Sequence, residues 1–207
     1  MKETIIKNGL YKSMIVILGS FVMGAGVAVA VCGRQGADPL AVVWDGMSGV
    51  FSITVGQANM ILSVILLLLA FLVDKKQLHI GTILNPFFSG ISTDFVMRFI
   101  STPDHIMQQI LQSTLGVGMI GIGIGIYTSV NFGKGTYDAL VFGIASRFGI
   151  PLFLMRMIFD AGMLAAGFFM GGTIGISTIF AVLCLGKIIS VTYEKSRQYE
   201  LKILCIN

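Results

Sequence analysis

Six apolar runs recur along this chain, at roughly Leu10–Cys32, Val55–Val73, Ile80–Ile100, Ile106–Asn131, Pro151–Met170 and Ile174–Tyr193. A hydrocarbon core about 30 Å thick takes roughly 20 helical residues to cross. A segment inside lipid must satisfy its own backbone polar groups, and a single segment does so only as a helix. Runs of this length predict an all-α polytopic membrane protein with six transmembrane helices. The charge content agrees: 12% of the 207 residues are charged and 55% are hydrophobic, about half the charge of a soluble domain. The first run resembles a signal peptide, with basic residues before it and Ala-x-Ala at Ala28–Ala30. It is longer than an apolar signal core of about 7–15 residues, so it reads as the first span.

The basic residues predict the orientation. With Lys2, Lys7 and Lys12 in the cytoplasm, six crossings also place Lys75, Lys76, Lys134, Arg147, Lys195, Arg197 and Lys202 there, and leave Arg34 and Arg98 outside. The outer turns "STPDH" and "GGT" hold neither Lys nor Arg. This asymmetry is the positive-inside pattern, and it puts both termini in the cytoplasm. The net charge of +4 comes from residues scattered at span ends, so it carries no nucleic-acid signal.

The stretch "CGRQGADPLAVVWDGMSGVFSI", Cys32 to Ile53, interrupts the apolar pattern. Asp38-Pro39 is a helix start: Asp accepts from first-turn N–H groups, and proline has none to lose at the first helical position. Leu40, Val43, Trp44, Met47 and Phe51 follow at helical spacing. The helix from Leu40 to Phe51 is about 18 Å long and cannot span. It either lies at the outer interface with Trp44 as a headgroup anchor, or is re-entrant with its start in a water-filled cavity.

A second copy favours a designed pair. "GRQGADPL" at Gly33–Leu40 matches "GKGTYDAL" at Gly133–Leu140, pairing Asp38 with Asp138 at an offset of 100. Upstream, Gly19, Gly24 and Gly26 pair with Gly118, Gly123 and Gly125 at an offset of 99; downstream, Thr82 and Gly90 pair with Thr178 and Gly186 at 96. Each unit holds three crossings, an odd number, so the units have opposite orientations, as in many secondary transporters. The first repeat covers residues 1–104 with a short helix at 38–51. The second covers 105–207 with a short helix at 138–148 and a cytoplasmic tail. Glycine rows at Gly19–Gly26 and Gly116–Gly125 predict that the first and fourth spans pack together.

Ionisable groups within spans are functional candidates by default. Arg156 and Asp160 share a face of the fifth span, and their repeat counterparts are Asn59 and Ser63. Asp160 lies deeper and is the candidate for a coupling proton or substrate contact; a structural bridge to Arg156 is the plainer account. Asn85-Pro86 breaks the third span and frees a carbonyl there. Asp94 and Arg98 read as a salt bridge at the outer rim. The predicted substrate-binding or gating residues are Asp38, Trp44, Asn59, Asn85, Tyr137, Asp138, Arg156 and Asp160. His79 and His105 lack a second ligand in register, and Cys32, Cys184 and Cys205 lack metal spacing. No catalytic triad, carboxylate pair or Walker motif is present, so neither an enzyme nor a cofactor is expected.

"GADPLAVVWDGMSGVFSITVGQAN", "IGTILNPFFSGISTDF" and "GIGIYTSVNFGKGTYDAL" resemble the YczE/YitT family of small bacterial integral membrane proteins, over about Leu18 to Val191. The resemblance implies an inner-membrane location. Through members that neighbour PLP-type transcription regulators, it also implies amino acids, amines or vitamin B6-like compounds as ligands. The expected function is a permease for a small polar molecule. The alternative is a substrate-binding, regulatory or scaffold subunit of a larger membrane complex. Its partners are the lipid bilayer, a small-molecule substrate and, since six spans are few for a transporter core, a second copy in a homodimer.

Overall fold

The structure, a computed structural model, describes residues 2–75 and 78–206, with side chains from 9 to 199 outside that gap. Lys76 falls outside the described residues, as do the side chains of Lys2, Lys7, Lys202 and Cys205. The described residues form eight helices: α1 (Lys2–Cys32), α2 (Pro39–Phe51), α3 (Val55–Val73), α4 (Ile80–Met97), α5 (Ile106–Ser129), α6 (Thr136–Phe148), α7 (Leu152–Phe169) and α8 (Ile176–Ile206). Five have segments long and apolar enough to cross a membrane: Gly9–Cys32, Val55–Val73, Ile106–Ser129, Leu152–Phe169 and Ile176–Tyr199.

Helix α4 has the length of a span, at 18 residues, but not the apolar composition of the other five. Its polar side chains are turned inward. Ser92 Oγ donates to Phe21 O at 2.7 Å and Thr93 Oγ1 donates to Gly24 O at 3.0 Å, both on α1. The exposed side of α4 carries Ile83, Phe87, Ile91 and Phe95 instead. Polar residues that bind a neighbouring helix lower the average hydropathy without facing lipid.

Helices α1 and α5 cross at closely packed glycines, as the two glycine rows predict. A Cβ on Gly19 would lie 2.6 Å from Tyr127 N, and one on Gly116 would collide with Ala30 N. A Cβ on Gly26 would lie 2.6 Å from Ile120 N, and one on Gly123 would collide with Met23 N. Gly19 and Gly116 are 97 positions apart, and so are Gly26 and Gly123, Ala30 and Tyr127, and Met23 and Ile120. The packing register is therefore 97 and not the 99 of the glycine-to-glycine match; Gly118 faces open space.

The short helices keep the same register. α2 and α6 are 13 residues each and start at Pro39 and Thr136. The second short helix thus begins two residues before the predicted Asp138. Gly135 is its N-cap, and Asp138 sits in the first turn. The structural counterpart of Asp38 is Gly135, so the predicted pair of matched aspartate caps is corrected. Glycine at 135 leaves the cap without a side chain, and the identity between "ADPL" and "YDAL" is out of register with the backbone.

Both short helices are packed inside the protein, α2 against α7 and α3, and α6 against α3 and α7. Trp44 is 3% exposed, which excludes the headgroup-anchor alternative. The connector before each short helix docks on the start of a distant helix. Ser177 N–H donates to Gln35 O at 3.0 Å, and Gly81 N–H donates to Phe132 O at 3.0 Å.

Other contacts also pair up: α1 packs on α4 as α5 packs on α8. One does not. α3 packs along α4, where Gly56 faces Gly90, but no comparable seam joins α7 to α8.

Candidate functional site

The eight residues singled out from the sequence line one cavity of about 70 Å³. Both short helices open onto it with their first residues, Asp38 to Leu40 of one and Gly135 to Asp138 of the other. α3 supplies Asn59, Ser63 and Leu66; α4 supplies Asn85; α7 supplies Arg156 and Asp160. This volume holds a few waters and little more.

Ion pairing is concentrated on one guanidinium. Arg156 Nη1 donates to Asp138 Oδ1 at 3.1 Å, and its Nε lies 3.8 Å from Asp160 Oδ2. Tyr137 Oη donates to Asp160 Oδ1. The predicted bridge between Arg156 and Asp160 is thus the longer arm of a wider cluster. Helical spacing makes Arg156 and Asp160 neighbours, while the fold of α6 brings in Asp138 and Tyr137.

The first-half counterparts are neutral and already satisfied. Asn59 Nδ2 donates to Ser89 Oγ at 2.9 Å, and Ser63 Oγ donates to Asn59 Oδ1 at 3.2 Å. Asn85 Nδ2 donates to Ser20 Oγ at 3.1 Å, tying α4 to α1. These amides fasten the cavity wall.

Two polar atoms in the wall have no hydrogen-bond partner: Asp38 Oδ1 and Trp44 Nε1. Asp38 is extended (φ −67°, ψ 160°) as an N-cap should be, yet its side chain makes no cap hydrogen bond. Burial raises its carboxyl pKa to about 6; the backbone N–H groups of Ala41 and Leu40 at the helix start oppose the rise, and the nearby Asp160 adds to it.

A second space of about 440 Å³ adjoins the first. Its walls include His79, Asn131, Lys134, Phe142, Leu152 and Tyr193, and it shares Ile124, Asp138 and Arg156 with the central cavity. The Asp138–Arg156 pair therefore stands between vestibule and cavity. Lys134 Nζ lies 3.1 Å from the centre of the Phe142 ring, a cation–π contact; burial lowers the pKa of this lysine.

Outside the site, the predicted rim bridge is corrected. Asp94 does not pair with Arg98 among the described residues. Its Oδ1 accepts from Gly56 N–H at 2.8 Å and its Oδ2 accepts from Thr54 Oγ1 at 2.5 Å. The unpaired N–H groups at the start of α3 are the better partner for a carboxylate. Asp45, the other acid of the short helix, accepts from Thr173 N–H at 2.8 Å and pins α2 to the turn before α8.

The model of a family of unknown function, DUF6198, matches residues 10–194. The chain belongs to the DUF6198 family. The membrane protein YczE of Bacillus subtilis is 28% identical over 181 residues, which is 87% of this chain and 84% of YczE. The B. subtilis protein YyaS is 28% identical over 173 residues, 82% of this chain and 85% of its own. An uncharacterised protein of Haemophilus influenzae is 22% identical over 180 residues, 86% of this chain and 82% of its own. No solved structure matches significantly. The YczE-like resemblance and the membrane location thus stand on similarity along most of the chain as well as on the apolar helices.

In this DUF6198 chain, sequence reasoning misses the vestibule. In the sequence Lys134 is an orientation signal and His79 a poor metal ligand, and neither points to a shared space. Tyr127, which reaches the cavity from the glycine-rich α5, is also missed. Its signal is present: Tyr127 stands at the same offset of 97 from Ala30 that governs the α1–α5 crossing.

Proposed function

We propose that this protein is a permease for a small polar molecule, built from two inverted three-span repeats. The observation that carries the reading is the central charged cavity. The starts of both short helices meet there, a vestibule leads to it from one side, and the symmetric route from the other side is packed shut. The offset of 97 relates Lys134, Asp138, Leu152 and Arg156 of the vestibule to Ala37, Ala41, Val55 and Asn59, which are 2%, 0%, 4% and 2% exposed. One copy of the passage is open and the other filled, which is the asymmetry that alternating access requires of an inverted repeat. α4 serves as the sixth span, its polar side turned to α1 and α3.

The basic residues give the vestibule its side. Lys134, Arg147, Lys195 and Arg197 belong to the group read as cytoplasmic, so the vestibule faces the cytoplasm of a bacterial inner membrane. Asp38 replaces Asp160 as the proton carrier in this reading. Asp160 is held by Tyr137 and Arg156, whereas Asp38 is buried with a bare oxygen.

The test is flux in proteoliposomes made with the purified chain. Asp138→Ala and Asp160→Ala are each expected to abolish it; full flux in both variants sinks the site. A subunit role in a larger assembly is the second reading. It is favoured by α7, which exposes Phe153, Met157, Ile158, Phe168 and Phe169, a surface fit for lipid, a second copy or another chain. A stoichiometric partner retained through purification, together with no flux from the chain alone, would select that reading.

A further inference from the structure

We infer that the central cavity is a binding site for a small monocationic amine that also carries a hydrogen-bond acceptor. The inference rests on the transport reading only for the steps after binding. It starts from the two unpartnered atoms. Asp38 Oδ1 is an acceptor without a donor, and Trp44 Nε1 is a donor without an acceptor. Both residues are more than nine-tenths buried, and both line the same cavity. Buried polar groups are rarely left unpaired. An ammonium would satisfy the first atom, and a hydroxyl or carbonyl oxygen the second.

Charge balance selects a cation. Three carboxylates line the cavity, those of Asp38, Asp138 and Asp160, against one guanidinium, that of Arg156. The two helix N-termini add about half a positive charge each. About one negative charge is left over, and it falls to Asp38, because Arg156 is already engaged with Asp138 and Asp160.

Two competitors are weaker. Helix N-termini attract anions, but each already has a carboxylate at it: Asp38 is the N-cap residue of α2, and Asp138 sits in the first turn of α6. A bare alkali ion would satisfy Asp38 but offers no acceptor to Trp44.

Size fits a headgroup of a few heavy atoms in the 70 Å³ cavity, with any longer tail passing Arg156 into the 440 Å³ vestibule.

Trp44 is the only tryptophan in the chain, so its fluorescence reports this cavity alone. The full chain in neutral-lipid nanodiscs is titrated with ethanolamine, ethylamine, glycolate, and sodium chloride against potassium chloride. Ethanolamine should give a saturable change, with ethylamine weaker by roughly tenfold or more because it lacks the acceptor. Asp38→Asn should remove the ethanolamine response while the protein still unfolds cooperatively. Trp44→Phe, followed by ligand-induced shifts in unfolding temperature, should bring the two amines level. A response to glycolate or sodium in place of ethanolamine overturns the assignment. So does an ethanolamine affinity unchanged in Asp38→Asn, or no saturable response to either amine. Ethanolamine binding without flux in proteoliposomes keeps the site and overturns transport. Flux of another class of solute with no amine response keeps transport and overturns the amine.

Discussion

The two halves share a backbone plan and divide the chemistry unequally. In the first half, α3 lies along α4 so closely that a Cβ on Gly56 would collide with Gly90 O. At the same register in the second half, Phe153 stands in place of Gly56 and is 76% exposed, while Gly186, the sequence mate of Gly90, faces open space. The charged residues follow the same split. Where the second half carries Lys134, Asp138 and Arg156, the first carries Ala37, Ala41 and Asn59. The first half thus buries the counterparts of the vestibule residues and contributes Asp38 and a set of satisfied amides to the cavity. The second half holds the ion cluster and the opening.

The largest expected effect is one of access. In a background lacking the three native cysteines, Lys134→Cys in the vestibule should react with a membrane-impermeant thiol reagent far faster than its counterpart Ala37→Cys, which is buried in the core. Under the permease reading, cycling substrate should raise labelling of Ala37→Cys from the opposite side of the membrane. If that position stays protected under every condition, the filled copy is a permanent wall and alternating access fails.

Next come the two glycine positions. Gly56→Leu forces a side chain into Gly90 O and the Asp94 carboxylate. Overpacking of this kind costs typically about 1–3 kcal/mol, and more here because backbone must move; detergent unfolding should show a large loss or no folded protein. A Cβ on Gly186 meets nothing within 4 Å, and Gly186→Leu should leave the unfolding temperature near that of the parent. If α7 must close on α8 during turnover, the same variant should cut flux by roughly tenfold. Unchanged flux would mean that this gap does not close.

Much of the division was legible in the sequence, though not its register. The six apolar runs, the two short helices and eight of the residues that line the cavity follow from period, length, the repeated motif and the cost of polar groups in lipid. The register did not, because sequence matching rewarded the shared aspartates of "ADPL" and "YDAL". The backbone aligns Asp38 with Gly135. Whether Trp44 faced a headgroup or the core was equally hidden: an indole suits both, and only the packing of α2 against α7 decides. The role of Asp94 was missed because i,i+4 spacing points to Arg98, while the competing partner, the start of α3, lies 38 residues away in sequence.

A smaller effect separates the two amide–ion counterparts. Asn59→Ala strips hydrogen bonds from the buried Ser89 and Ser63 and should cost about 1–3 kcal/mol of stability, with flux partly retained. Arg156→Gln should cost less stability than that, since the parent side chain is 47% accessible and water screens the carboxylates it leaves, yet abolish flux. If the two variants exchange these outcomes, the halves have been assigned the wrong roles.

The smallest expected effect is a pH dependence confined to the first half's one acid in the cavity. Asp38 has its pKa raised from 3.8 to about 6 by burial, so the folded state holds a proton that the unfolded chain releases. A group shifted in this direction contributes stability that is fully present below about 3.8 and is lost as pH rises through about 6. Between pH 5 and 7 the ligand-free protein should therefore lose about 1 kcal/mol, read as a falling unfolding temperature. Asp38→Asn carries no titrating proton at that position and should flatten this slope. The groups facing Asp38 across the cavity, Asp160, Asp138, Arg156 and Tyr137, remain in place in that variant. A slope that survives it belongs to the second half's cluster and removes Asp38 from the proton's path.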